Sequence, residues 1–267
     1  MHMCKCAGVP NACFGKMLTE RPINSKARTT YATIRKDIWW LEPLLIGAGF
    51  ALFIIYATYR ALEGKFYEVG PYLSPFYSPR VSFYWWHWSP ALLILWIPAT
   101  FRATCYYYRK AYYRSYFLDP PACAVGHLGA GKYCGENKLP LILQNLHRYF
   151  LYLAILVLVF LWWDAIAAFN FAGRFGAGVG SFILLANVVL LTNYTLGCHA
   201  LRHLLGGRLD CFSCSTLSRS CFASWKVITK FNEHHMLWAW VSLFSVAFAD
   251  FYIRSVAAGT TTDMRLF

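Results

Sequence analysis

Thiols and imidazoles recur along this 267-residue chain from position 105 onward: Cys105, Cys123, Cys134, His147, Cys198, His199, His203, His234 and His235. Side chains of these two types bind iron and other transition metals. The sharpest local spacing is Cys198-His-Ala-Leu-Arg-His203, where His199 and His203 stand i,i+4 on one helical face and Cys198 and Arg202 form a neighbouring i,i+4 pair. Two imidazoles one turn apart can share a site. Iron chemistry offers two readings of this inventory. A bis-histidine haem b takes two imidazoles from facing helices, for example His147 and His203, whereas a Rieske-type [2Fe–2S] centre takes two thiolates on one iron and two imidazoles on the other. A haem leaves the cysteines unused, while a mixed centre employs both residue types. Two stacked haems would need two histidines at the opposite side, where only His87 stands.

The elements that must position these groups are membrane helices. Hydrophobic residues make up 58% of the chain and charged residues 14%, with a mean hydropathy of +0.40. That charged fraction lies below the roughly 25% of soluble domains. The balance excludes a disordered chain. A net charge of +13 does not mark a nucleic-acid partner, because the basic residues fall between apolar blocks. Spanning lipid takes about 20 helical residues with every backbone polar group satisfied internally. Segments 38–62, 87–113, 141–169, 179–205 and 232–257 meet that requirement, the second with a kink at Pro98. The expected fold is all-α, a polytopic integral membrane protein built as a bundle of five transmembrane helices over residues 38–257.

Charge sets its orientation. Seven Lys and Arg precede the first span, seven lie between Arg102 and Arg148 and five between Arg202 and Lys230, against six on the other side. The positive-inside rule then makes residues 1–37 a cytoplasmic N-terminal segment and residues 258–267 an external tail. No apolar run of signal-peptide type precedes the first span, so no cleaved leader is expected. The cysteines and histidines named above gather at the inner face.

Other polar groups have plainer roles. Asp250 and Arg254 are i,i+4 and can pair, while Asp164, Asn187 and Asn193 can hydrogen-bond across helices. A proton-coupled transporter using Asp164, Asp250 and the histidines is the alternative from a different functional class, but inverted repeats are not evident. Cys4, Cys6, Cys13, Cys211, Cys214 and Cys221 read as bystander thiols, and a reducing compartment argues against disulfides among them. The run from Cys105 to Arg114 is an aromatic and basic interface belt whose hydroxyls and guanidinium groups could also hold a quinone carbonyl.

Several stretches carry a family likeness: Gly-Pro-Tyr-Leu-Ser-Pro-Phe-Tyr-Ser-Pro at 70–79, Thr-Cys-Tyr-Tyr-Tyr-Arg-Lys-Ala-Tyr-Tyr-Arg at 104–114, Pro-Pro-Ala-Cys-Ala-Val at 120–125, Pro-Leu-Ile-Leu-Gln-Asn-Leu-His-Arg-Tyr-Phe at 140–150, Cys-His-x-x-Arg-His at 198–203, and the closing segment 232–254. In these the chain resembles the five-helix membrane anchor subunit of actinobacterial-type succinate dehydrogenases. The resemblance implies a multi-pass protein of the bacterial inner membrane that docks a flavoprotein and an iron–sulfur subunit and passes electrons to a quinone, menaquinone or ubiquinone. It also implies a membrane-embedded Rieske-type [2Fe–2S] cluster in place of haem, with ligands drawn from Cys105, Cys123, Cys198, His147, His199, His203 and His235. Trp39, Trp40, Tyr106, Tyr107 and Arg109 are then the quinone candidates, and Arg148, Arg202 and Arg208 the docking candidates. Such an anchor needs no catalytic residue of its own.

Overall fold

The computed structural model describes residues 36–118, 120–125, 137, 139, 141–207 and 209–266. Nearly all of the N-terminal segment with Cys4, Cys6 and Cys13, together with Cys134 and Arg208, lies outside the described residues. In chain order the elements are α1 (Leu41–Glu63), a hairpin of β1 (Glu68–Val69) and β2 (Tyr72–Leu73), then α2 (Trp96–Ala103) and α3 (Tyr106–Tyr112). A 3-10 turn at Leu141–Leu146 runs into α4 (His147–Ala167), and a hairpin of β3 (Asn170–Phe171) and β4 (Arg174–Phe175) leads to α5 (Val179–Leu196). The chain closes with α6 (His199–Gly206), α7 (Thr216–Glu233) and α8 (His235–Ala257).

Four helices among the described residues are long and apolar enough to cross a membrane: Leu41–Glu63, Leu141–Ala167, Val179–Leu196 and His235–Ala257. The expected span at 87–113 is instead a series of short pieces, with a 3-10 turn at Pro90–Leu93, α2, a break at Thr104 and Cys105, and α3. Its apolar stretch is too short to sustain one helix. Pro98 lies in the first turn of α2, where a missing N–H costs little. The expected span at 179–205 is also interrupted, because Gly197 ends α5 and Cys198 takes an extended conformation (φ −66°, ψ 130°) before α6. Residues 216–233, read from sequence only as a basic connection, form α7, capped by the Ser215 side chain on the Ser218 N–H.

The chain divides into two compact units, Met1–Ala51 with Tyr108–Asn145, and Leu52–Tyr107 with Leu146–Phe267. In the first, Phe50 packs on Tyr108 with ring centroids 5.4 Å apart, and the Tyr116 hydroxyl donates to the Gly47 carbonyl at 2.7 Å. In the second, α5 packs between α4 and α8 around Ala165, Ala168, Leu184, Val188 and Ile253. Ser245 donates to the Asn187 amide oxygen at 3.1 Å, satisfying a buried polar side chain across α5 and α8.

One end of this second unit is closed by a paired carboxylate. Asp250 and Arg254 are 0% and 3% exposed, and the Arg254 Nε donates to both Asp250 oxygens at 3.0 and 2.9 Å. Tyr56 and Ser74 also donate to Asp250, while Arg254 reaches Glu63 at 3.0 Å and the Arg60 carbonyl at 3.1 Å. The pair that sequence spacing allows is thus a fully hydrogen-bonded lock of α1, the turn that follows β2 and α8. The C-terminal tail is tied to the same end: Asp263 accepts from the Gly180 N–H at 3.0 Å, from Tyr72 at 2.6 Å and from Tyr252 at 2.7 Å. Burial, then the Asp263 carboxylate, pushes the Tyr72 hydroxyl up to about 12.

A Cβ at Gly180 would lie 2.8 Å from the Tyr72 ring. That ring is held by Asp263 and packs edge-on to Phe171, so it has little room to give. Gly180→Ala should therefore destabilise the protein by about 1–3 kcal/mol despite the better helix propensity of alanine. Detergent-induced unfolding of the purified complex measures this, and an unchanged or raised midpoint would contradict it.

Candidate metal centre

At the other end of the second unit four helix interruptions meet. Cys105 stands in the break between α2 and α3, His147 at the junction of the 3-10 turn with α4, Cys198 between α5 and α6, and His235 at the start of α8. The His147 Nε2 lies 3.2 Å from the Cys198 Sγ, and the His235 Nε2 lies 3.5 Å from the Cys105 Sγ. Cys105, Cys198 and His147 are buried and His235 nearly so. The two thiols are close enough to interact electrostatically, as are the two imidazoles. Among the described residues no three His, Cys, Asp or Glu side chains converge tightly enough to hold a single metal ion. The arrangement is two thiol–imidazole pairs side by side.

Each imidazole is fixed by its surroundings. The His147 ring stacks on Phe101 (4.8 Å, 4°), and its Nδ1 lies 3.0 Å from the Thr104 hydroxyl oxygen. That hydroxyl donates to the Thr100 carbonyl at 2.7 Å, so it is left to accept from the Nδ1–H. The tautomer follows, with the Nε2 lone pair directed at Cys198. The His235 ring stacks on Tyr194 (5.0 Å, 15°), and its buried Nδ1 has no hydrogen-bond partner among the described residues. Arg102 covers the Tyr194 ring at 4.5 Å while donating to the Ala239 carbonyl (3.1 Å) and the Ser242 hydroxyl (2.9 Å). The guanidinium thereby ties α2 to α5 and α8 across the site.

The close approach of the helix ends has its own sequence requirement. A Cβ at Gly197 would meet the His235 Nδ1 at 3.0 Å and the Asn193 and Phe231 carbonyls at 3.1 Å. Asn232 donates to the Gly197 carbonyl at 2.7 Å, satisfying a group that the break releases.

The family model for the actinobacterial succinate dehydrogenase subunit SdhC matches residues 41–259 of this chain. The chain belongs to that SdhC family. A chain of the Mycobacterium smegmatis Sdh1 complex in the apo form is similar, with a TM-score of 0.81 and 45% identity, over 88% of this chain and 94% of that one. No curated protein matches. The protein is thus a membrane anchor subunit of an actinobacterial-type succinate dehydrogenase, as the motif resemblance implied.

In this SdhC member the structure draws Cys105, Cys198, His147 and His235 together from the seven ligand candidates. His199 and His203 are exposed on α6, because the break at Cys198 turns that helix away from the line of α5. Cys123 belongs to the first unit, as do Trp39, Trp40 and Arg109 of the quinone candidates. Tyr106 and Tyr107 belong to the second, and the Tyr107 hydroxyl accepts from the Trp240 Nε1 at 2.7 Å. Of the docking candidates, Arg148 is half-buried, and Arg202 lies over Trp225 at 4.6 Å and donates to Thr229 at 3.0 Å, which fastens α6 to α7. Cys211 and Cys214 form a disulfide with a Cα–Cα distance of 5.7 Å, contrary to the expectation of bystander thiols; a two-residue spacer brings them within bonding reach.

Sequence reading missed Phe101, Arg102, Thr104 and Tyr194. Aromatic and basic residues are too common in this chain to stand out. Arg102→Leu removes two charge-assisted hydrogen bonds and a cation–π contact, so it should destabilise the protein by about 2–3 kcal/mol. Detergent unfolding against wild type checks this; a loss below about 0.5 kcal/mol would show the guanidinium to be incidental to the packing.

Proposed function

We propose that this chain is the quinone-reducing anchor of a succinate:quinone oxidoreductase in the bacterial inner membrane, and that it holds a Rieske-type [2Fe–2S] cluster on Cys105, Cys198, His147 and His235. The single observation that carries the reading is the meeting of two thiols and two imidazoles, from four separate helix interruptions, in one buried place. This donor set is the one a mixed cluster requires, two sulfurs for one iron and two nitrogens for the other. The partnerless, buried Nδ1 of His235 and the tautomer imposed on His147 leave nitrogen lone pairs available. A bis-histidine haem between His147 and His203 has less support, since His203 lies exposed on α6.

When bound, such a cluster supplies one-electron transfer between the partner subunits and a quinone. The residues of this chain hold and insulate it. Thr104 orients His147, Phe101 and Tyr194 wall the two imidazoles, and Arg102 places a positive charge behind Tyr194. The flavoprotein and iron–sulfur subunits then dock on the cytoplasmic side, where Arg148 and Arg208 remain the candidates; the quinone candidates are Tyr106 and Tyr107 in the second unit and Trp39, Trp40 and Arg109 in the first. The polar network around Asp250 gives no support to a transporter, because Tyr56, Ser74 and Arg254 occupy both carboxylate oxygens.

Low-temperature EPR of the reduced, purified complex tests the assignment. Replacing any of Cys105, Cys198, His147 or His235 with alanine should abolish a rhombic Rieske-type signal that His199→Ala, His203→Ala and Cys123→Ala retain. A reduced-haem optical band, or a signal surviving Cys198→Ala, would overturn the reading. Thr104→Val should weaken iron retention by about 10- to 100-fold through loss of the His147 orientation, with Thr104→Ser restoring it. Equal iron retention in the two variants would remove Thr104 from that role.

A further inference from the structure

The Cys211–Cys214 disulfide closes the connection between α6 and α7, the two helices that abut Cys198 and His235. Cys214 is exposed and lies one residue before the cap of α7. Between the two cysteines, the Phe212 ring packs on Phe222 at 4.7 Å, Phe222 stacks on Trp225 at 5.9 Å, and Trp225 carries the Arg202 guanidinium. Trp225 also fills the space over Gly206, where a Cβ would come within 2.4 Å of the indole. Arg219 donates to the Ser213 carbonyl at 3.3 Å, fixing the loop to the first turns of α7. A continuous set of contacts therefore leads from the disulfide to the α6–α7 pair.

We propose that Cys211 and Cys214 are a reversible thiol–disulfide couple whose closed form clamps α6 against α7 and so steadies the two helix ends that present Cys198 and His235. The placement of this end on the reducing, cytoplasmic side rests on the topology of the proposed anchor, and intracellular disulfides in that setting are usually transient or redox-sensing. Opening needs a thiol reductant. A reductant thiolate attacks one sulfur, forming a mixed disulfide and releasing the other cysteine as a thiolate that takes up a proton. A second reductant thiol resolves the mixed disulfide, leaving two cysteine thiols and one oxidised reductant disulfide, with two electrons transferred in all. Once open, the loop is no longer cross-linked, and Phe212 can leave Phe222.

The test uses the whole complex in membrane vesicles, equilibrated with reduced and oxidised glutathione at graded ratios. Differential alkylation and mass spectrometry report the cysteine pair, and hydrogen exchange reports α6 and α7. Cys211 and Cys214 should convert together, and amide protection in α6 and α7 should fall by about 2- to 30-fold in the dithiol form, the range expected of such couplings. Cys211→Ser should show the lower protection at every ratio. A bond found instead to Cys221, a pair locked in one state at all ratios, or equal protection in both states would each overturn the proposal. Neither readout depends on a cluster or a quinone, so failure of the proposed function would be distinguished by a missing EPR signal with the cysteine titration intact.

Discussion

A helix that stops near a membrane leaves backbone amides and carbonyls without partners, and lipid supplies none. The structure of this anchor depends on meeting that constraint four times in one place. Three of the breaks are closed locally: the Cys105 N–H donates to the Arg102 carbonyl, Cys198 to Thr195 and His234 to Phe231, while Asn232 serves the Gly197 carbonyl. At Thr104 and Gly197 the breaks are buried, and the released groups there find protein partners. The same turns that end the helices direct two thiols and two imidazoles toward a common interior. A continuous helix at any of the four positions would carry its donor onto a different face.

The opposite end of the second unit complements this arrangement. Asp250, Arg254, Glu63 and Ser74 lock α1, the turn that follows β2 and α8, and Asp263 caps α5 from the C-terminal tail. With α4, α5 and α8 held there and packed through the small residues Ala165, Ala168 and Gly180, the helix ends that carry His147, Cys198 and His235 are placed by rigid elements. A metal centre on such ends keeps its ligand geometry through the stacking of Phe101 and Tyr194 and the hydrogen bond of Thr104. The protein's influence on the centre would then be exerted through burial and the nearby guanidinium of Arg102.

Much of this was legible in the sequence, and the remainder was hidden for identifiable reasons. Uninterrupted apolar runs announced α1, α4, α5 and α8, since in lipid helix is the only single-segment solution. Apolar length could not reveal the breaks. Of the four, only Gly197 is marked by a residue that disfavours helix; the others fall at Thr104 and His234, of middling propensity, and at Leu146, which favours helix. A continuous helix would have carried His199 and His203 on from α5, whereas the break at Cys198 leaves them exposed on a separate helix, α6. The four side chains that the fold brings together were within the seven candidates because cysteine and histidine are scarce in membrane spans, whereas Arg102 and Tyr194 were lost among many similar residues. The periodicity of Phe222, Trp225 and Ile228 behind the Ser215 cap would have disclosed α7.

The proposed cluster takes two sulfur and two imidazole nitrogen ligands from one site. Pulsed EPR on the reduced complex, prepared with 15N-histidine, measures the nitrogen side of that statement directly. Two distinct histidine couplings on a single iron–sulfur signal are the predicted result. A signal with no histidine coupling, or nitrogen couplings belonging to a haem, would contradict it.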